Sequence, residues 1–180
     1  GGADSSTIAV LVAEMVRRGI QELGVDGFIS KLGLPLTASS NDPEKSLVNQ
    51  LLTTAYQGTK NSSEATLNSA KVLAESLGAT FMSWTIDEEV QGYTQKIEAA
   101  LGRALTWEQD DISLQNIQAR TRSPIIWLLT NLKNALLLPT SNRSEGDVGY
   151  ATMDGDTSGS ISPIAGVDKD FVIHWLQWAE

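Results

Sequence analysis

Residues 48–87, VNQLLTTAYQGTKNSSEATLNSAKVLAESLGATFMSWTID, decide the fold. Two apolar, β-compatible runs, VNQLLTTAY (48–56) and ATFMSWTID (79–87), bracket a stretch with helical character. Asn61 is placed to cap that helix, with Glu64 in the reciprocal position, and Gly78 stands where a helix ends in the left-handed region. A strand, a helix and a second strand in this order bring the two strands side by side and parallel, because a crossover that long returns the chain to the same edge.

Working outward, TIAVLVAEMVRRGIQEL (7–23) repeats Ile8, Leu11, Val12, Met15 and Val16 at helical spacing, with Gly24 as the expected stop. Residues 24–46 mix Gly, Pro, Ser and Asp without a period and are expected to form a long surface connection or insertion. Downstream, a helix is expected over about 88–101 and another from Asp111, with Pro124 bending it beside Arg120 because proline removes the amide that would bond the Arg120 carbonyl. ALLLPT (135–140) reads as the next strand, a short helix begins near Ser144, and Asp168 caps a last helix carrying Phe171, Trp175 and Trp178. Alternating strands and helices predict an α/β fold, a three-layer parallel sheet with helices on both faces. Ligands of such sheets bind beyond the carboxyl ends of the strands, which selects GGADSS and the segments after Tyr56, Ile86 and Thr140 as one rim. No strand precedes GGADSS, so a piece of a longer polypeptide is expected.

Composition narrows the function. The chain has 180 residues, 41% of them apolar, enough for a core in about one domain. A net charge of −9 repels polyanions and disfavours nucleic acids and anionic membranes as partners. There is no cysteine, hence no disulfide, thiolate zinc site or cysteine nucleophile. The one histidine, His174, cannot build a zinc site alone. No apolar run is long enough to span a bilayer, and a soluble, cytoplasmic protein is expected.

GGADSS at a helix N-terminus permits close backbone approach and favours phosphate. An ordinary glycine turn capped by Asp4 or Ser5 explains the same residues. No Gly-Lys-Ser/Thr follows, so this is not a Walker loop and γ-phosphoryl transfer is disfavoured.

A longer pattern decides between these. Residues 116–169, NIQARTRSPIIWLLTNLKNALLLPTSNRSEGDVGYATMDGDTSGSISPIAGVDK, resemble the synthetase domain of NAD synthetases, members of the ATP pyrophosphatase (PP-loop) superfamily. The superfamily's motif is Ser-Gly-Gly-x-Asp-Ser, of which GGADS supplies all but the first serine. With lower density the resemblance covers nearly the whole chain apart from 24–46. It implies an adenine-nucleotide α-hydrolase-like, Rossmann-like fold, and a magnesium-dependent ligase that adenylylates deamido-NAD with ATP and then aminates it with ammonia.

By the same resemblance, Gly1, Gly2, Ala3, Asp4, Ser5 and Ser6 cradle the ATP phosphates, with Thr140 and Lys169 as further ATP contacts. Asp4 and Lys169 carry catalytic roles, and Asp4 and Glu145 are the magnesium ligands. Asn116, Arg120, Glu145, Tyr150, Met153 and Asp156 face deamido-NAD. The spacing of Asn116 and Arg120 independently places them on one helix face. Arg122 and Arg143 are cations without an assigned role, and Arg143 reads as solvated.

Met153 and Ser160 stand where many ammonia-dependent members carry a lysine and an aspartate, so GYATMDGD (149–156) looks more like the glutamine-dependent branch. That branch implies an upstream glutaminase domain with a Glu-Lys-Cys triad, which a chain without cysteine cannot contain. A homo-oligomer is also implied. The remaining alternatives are a nucleotide-binding module without turnover and a different PP-loop ligase.

Overall fold

The computed structural model describes residues 2–180. Their elements are α1 (Ala3–Leu32), α2 (Pro43–Leu51), β1 (Thr53–Gly58), α3 (Glu64–Leu77), β2 (Thr80–Thr85), α4 (Asp87–Leu101), α5 (Trp107–Leu132), α6 (Arg143–Asp147) and α7 (Lys169–Ala179). They divide into two compact units. One holds residues up to 56 with 63–83 and 170–180, and the other holds 57–62 and 84–169.

The strands pair as expected. The Thr80 amide donates to the Leu52 carbonyl at 3.0 Å and the Ile86 amide to the Gly58 carbonyl at 3.0 Å, so partner numbers rise together and the pair is parallel. The α/β class with a parallel strand–helix–strand unit therefore holds. Three local expectations around it are corrected. VNQLLTTAY is not one strand: Asp42 accepts from the Lys45 amide at 3.0 Å and Pro43 opens α2, which consumes the run as far as Leu51. Ser63, not Asn61, caps α3 by accepting from the Thr66 amide, and Glu64 is then the first helical residue. ALLLPT forms no strand. The backbone of Leu137 bonds to residues 160–161 instead, its amide to Ser160 Oγ at 3.3 Å and its carbonyl to the Ser160 amide at 2.7 Å.

The first unit is built on α1, against which α2 and α3 pack. Val16, Phe28, Leu47, Val48 and Ala74 are buried there. Gly24 does not end α1. It takes φ 72°, ψ 168° and kinks the chain, after which the helix resumes to Leu32. A Cβ at Gly19 would strike the Phe28 ring. In a straight helix these two residues would be about 13 Å apart on opposite faces, so their contact requires the fold-back at Gly24. The expected long connection over 24–46 is thereby corrected: the helix resumes as far as Leu32, Pro43–Ser46 open α2, and the stretch between them is strapped to α2. Gln50 grips both backbone groups of Thr37, its Nε2 donating to the carbonyl at 2.7 Å and its Oε1 accepting from the amide at 3.1 Å. Gly78, at φ 81°, lets α3 end against Lys45, with Asn49 Nδ2 donating to its carbonyl at 3.0 Å.

In the second unit α4 packs on α5. Thr106 caps α5, so the helix starts before the expected Asp111. Its dihedrals leave the helical region only at Asp110, and not beside Pro124. The cause is local: the Asp110 carboxylate takes both terminal nitrogens of Arg103 at 2.8 Å and the Thr106 amide at 3.0 Å. The pairing with Arg103 holds the Asp110 carboxyl at about 2, below the ordinary aspartate range. Among the described residues no helix is long and apolar enough to cross a membrane.

Candidate active site

In the first unit residues 2–6 of the candidate phosphate motif form a helix N-terminus more than a loop. Gly2 is the N-cap, in extended conformation and without a side-chain cap bond, and Ala3 already begins α1. Asp4, Ser5 and Ser6 therefore occupy the first turn, while Gly1 lies outside the described residues. The Gly2 carbonyl accepts from the Ser6 amide at 3.1 Å and from Ser5 Oγ at 3.0 Å. These bonds close the turn, while the Ala3 and Ser5 amides have no acceptor within the helix and lie at the positive end of α1. Asp4 is half-buried in that turn.

The second unit brings most of the candidate dinucleotide residues together. Asn116 and Arg120 lie on α5, and the 152–158 loop runs alongside. Thr152 Oγ1 donates to Asn116 Oδ1 at 3.1 Å, and Arg120 Nε donates to the Met153 carbonyl at 3.0 Å. Gly155 sits where a Cβ would lie 3.0 Å from the Ala119 carbonyl carbon. Asp156 serves the loop itself: its carboxylate accepts from the Thr152 amide at 3.2 Å and its carbonyl from Ser141 Oγ at 3.1 Å, next to Thr140. The Met153 side chain is exposed, and the terminal nitrogens of Arg120 make no hydrogen bond among the described residues.

Glu145 lies in α6, whose cap is the buried Asn142, accepting from the Glu145 amide at 3.0 Å. The Tyr150 amide returns to the Glu145 carbonyl at 2.9 Å while its ring is exposed. Lys169 opens α7, its amide donating to Ser144 Oγ at 3.0 Å, so α6 and the start of α7 are joined. Arg143 is not merely solvated, since it pairs with Asp168 at 3.2 Å. Arg122 ties α5 to the end of β1 through Nε to the Gln57 carbonyl at 3.3 Å. His174 is exposed on α7, its Nδ1 2.9 Å from the Asp170 carbonyl.

The sequence pattern missed two residues. Asn116, Arg120, Ser123 and Trp127 form one stripe on α5, and the last two meet Ser158. Ser123 and Trp127 follow Arg120 at +3 and +7, spacings that keep them on the same helix face. No group of three or more His, Cys, Asp or Glu able to hold a metal occurs among the described residues.

Comparison with known proteins extends these observations. A glutamine-dependent NAD(+) synthetase of Oryza sativa subsp. indica is 32% identical over 99% of this chain, which covers 27% of that protein. The crystal structure of a glutamine-dependent NAD(+) synthetase from Cytophaga hutchinsonii superimposes over 100% of the chain with TM-score 0.94 and 58% identity, and the chain covers 32% of it. The fold recurs, at 21% identity, in a glutamine-dependent NAD+ synthetase from Acinetobacter baumannii solved with ADP, with TM-score 0.68 over 91% of this chain and 32% of that one. The chain thus spans about a third or less of the length of these relatives. The sequence model of the NAD synthase family matches residues 1–180, the same span that superimposes on a solved synthetase, and the chain accordingly belongs to the NAD synthase family.

Proposed function

We propose that this chain is the ATP-dependent synthetase part of a glutamine-dependent NAD synthetase, a carbon–nitrogen ligase. The observation that carries the reading is the match of the NAD synthase family to all 180 residues. In the first step a carboxylate oxygen of deamido-NAD attacks the α-phosphorus of ATP, the bond to pyrophosphate breaks, and an acyl-adenylate forms. In the second, the nitrogen lone pair of ammonia attacks the acyl carbon, AMP leaves with the bonding pair, and a proton is lost to give the amide.

The residues divide the work. The first-turn amides of α1, including those of Ala3 and Ser5, offer donors to the leaving pyrophosphate in an otherwise acidic protein. Ser5 and Ser6 line that turn, and Thr140 and Lys169 are assigned to ATP. Arg120 is held at Nε by the loop, which leaves a two-nitrogen fork for the dinucleotide's phosphates or carboxylate. Asn116, Glu145, Tyr150, Met153 and Asp156 are assigned to the same substrate.

Asp4 and Glu145 are hard oxygen donors of the kind magnesium takes, since that ion is held by one or two carboxylates together with substrate phosphates. When bound, magnesium neutralises charge on the departing pyrophosphate. With no cysteine to make a thiolate, these residues use ammonia, and a separate glutaminase domain releases it from glutamine. A cytoplasmic homo-oligomer fits the composition and the family.

The test is product analysis. Incubation with ATP, magnesium, deamido-NAD and ammonia should yield NAD, AMP and pyrophosphate in equal amounts, with no product when deamido-NAD is withheld. Formation of ADP and phosphate would overturn the reading.

A further inference from the structure

Four residues on α5 meet the 152–158 loop in order: Asn116 at Thr152, Arg120 at Met153, then Ser123 and Trp127 at Ser158. The meeting at Ser158 has the shortest hydrogen bonds of the set. Trp127 Nε1 donates to Ser158 Oγ at 2.7 Å, and Ser123 Oγ lies 2.7 Å from the same oxygen. All three groups are half-buried. An indole N–H can only donate, so Ser158 Oγ accepts it and makes its second bond with Ser123 Oγ, where either hydroxyl can be the donor. The Ser158 amide donates back to the Gly155 carbonyl at 3.1 Å, and Gly155 is the residue packed on Ala119 and Arg120. A chain of contacts therefore runs from the Trp127 ring through Ser158 and Gly155 to the carbonyl of Met153, which holds Arg120.

We infer that Trp127 and Ser123, acting through Ser158, are positioning residues for the dinucleotide substrate: they fix the loop whose Met153 carbonyl orients the Arg120 guanidinium. This rests on the assignment of Arg120 to deamido-NAD under the proposed function. Neither Trp127 nor Ser123 touches the ligand in this scheme. Their effect is selective, because the loop carries residues assigned to deamido-NAD and none of those assigned to the ATP phosphates.

The experiment compares KM for deamido-NAD and for ATP in the full-length wild type, Trp127→Phe, Ser158→Ala, Ser158→Thr and Ser123→Ala. Trp127→Phe deletes the donor and keeps a large aromatic ring. It should raise KM for deamido-NAD about tenfold, the factor expected when one charge-assisted hydrogen bond to the substrate is misaligned, and shift KM for ATP by less than about twofold. Ser158→Ala should do the same, with Ser158→Thr restoring most of the affinity. If Trp127→Phe does not fold, Ser123→Ala, the mildest change, carries the same comparison with a smaller split. Equal rises in both KM values, or no change in either with the wild type active, overturn the inference. A wild type that makes no NAD from deamido-NAD overturns the proposed function, and the inference with it.

Discussion

Gly155 is the point where a single methyl group tests the loop–helix contact. A Cβ there would lie 3.0 Å from the Ala119 carbonyl carbon, 3.1 Å from Ala119 Cβ and 3.2 Å from the Arg120 amide nitrogen, against an ordinary contact range of 3.4–4 Å. Two of these three atoms belong to the backbone of α5, which cannot give way as a side-chain tip can. Gly155 is not among the positive-φ residues, so alanine adds crowding without dihedral strain. The loop must give by a few tenths of an ångström, an overpacking cost of about 1–3 kcal/mol. The Arg120 Nε to Met153 carbonyl bond, now 3.0 Å, then stretches toward the limit of useful geometry. The guanidinium loses its orientation, and misaligning one charge-assisted contact to the substrate weakens binding by about tenfold. Gly155→Ala should therefore lower the urea midpoint and weaken deamido-NAD binding in a calorimetric titration. Gly92→Ala is the control, since Gly92 is helical with nothing within 4 Å, and should stabilise by about 0.5–1 kcal/mol. An unchanged midpoint and affinity in Gly155→Ala would refute the close contact and the role given to the loop.

Acid stability should report the Arg103–Asp110 pair. The folded carboxyl is held at about 2, below the roughly 3.9 of an unfolded aspartate, so its contribution is full above pH 4 and is lost as pH falls toward 2. Asp110→Asn should flatten that part of a thermal-melt profile. Asp4→Asn and Glu145→Gln, each measured alone, should raise the magnesium concentration needed for half-maximal activity while leaving the melting temperature within a few degrees. Unchanged magnesium dependence in either would remove that residue from the metal assignment. Arg120→Ala should raise KM for deamido-NAD far more than KM for ATP, and Thr140→Val should do the reverse. Equal effects of either substitution on both ligands would show that the two assignments have been merged.

The parallel strand–helix–strand unit is legible in the sequence because its signals are local: two apolar runs, a polar start and Gly78. The cap is harder to place, at Ser63 and not Asn61, because several capping side chains stand in a row and only the backbone path selects among them. Residues 24–46 are opaque for a different reason. Gly24 looks like a stop, but burial of Phe28 against Gly19 favours a fold-back with the helix resuming, and that contact crosses the kink. ALLLPT has the composition of a strand, yet a strand needs a continuous ladder, and here the Leu137 backbone bonds to residues 160–161 while the Ala135 amide turns back to the Thr130 carbonyl. Asn116 and Arg120 can be read from spacing and resemblance together. Ser123 and Trp127 cannot, since what gives them meaning is Ser158, more than thirty residues away in sequence.

The most direct measurement follows oxygen. Deamido-NAD labelled with 18O in its nicotinate carboxylate is converted with ATP, magnesium and ammonia, and the AMP is analysed by mass spectrometry. Attack of the carboxylate on the α-phosphorus predicts one labelled oxygen in the AMP phosphate and the other retained in the amide of NAD. Unlabelled AMP, or label recovered in inorganic phosphate, would contradict an acyl-adenylate and with it the central claim about this chain.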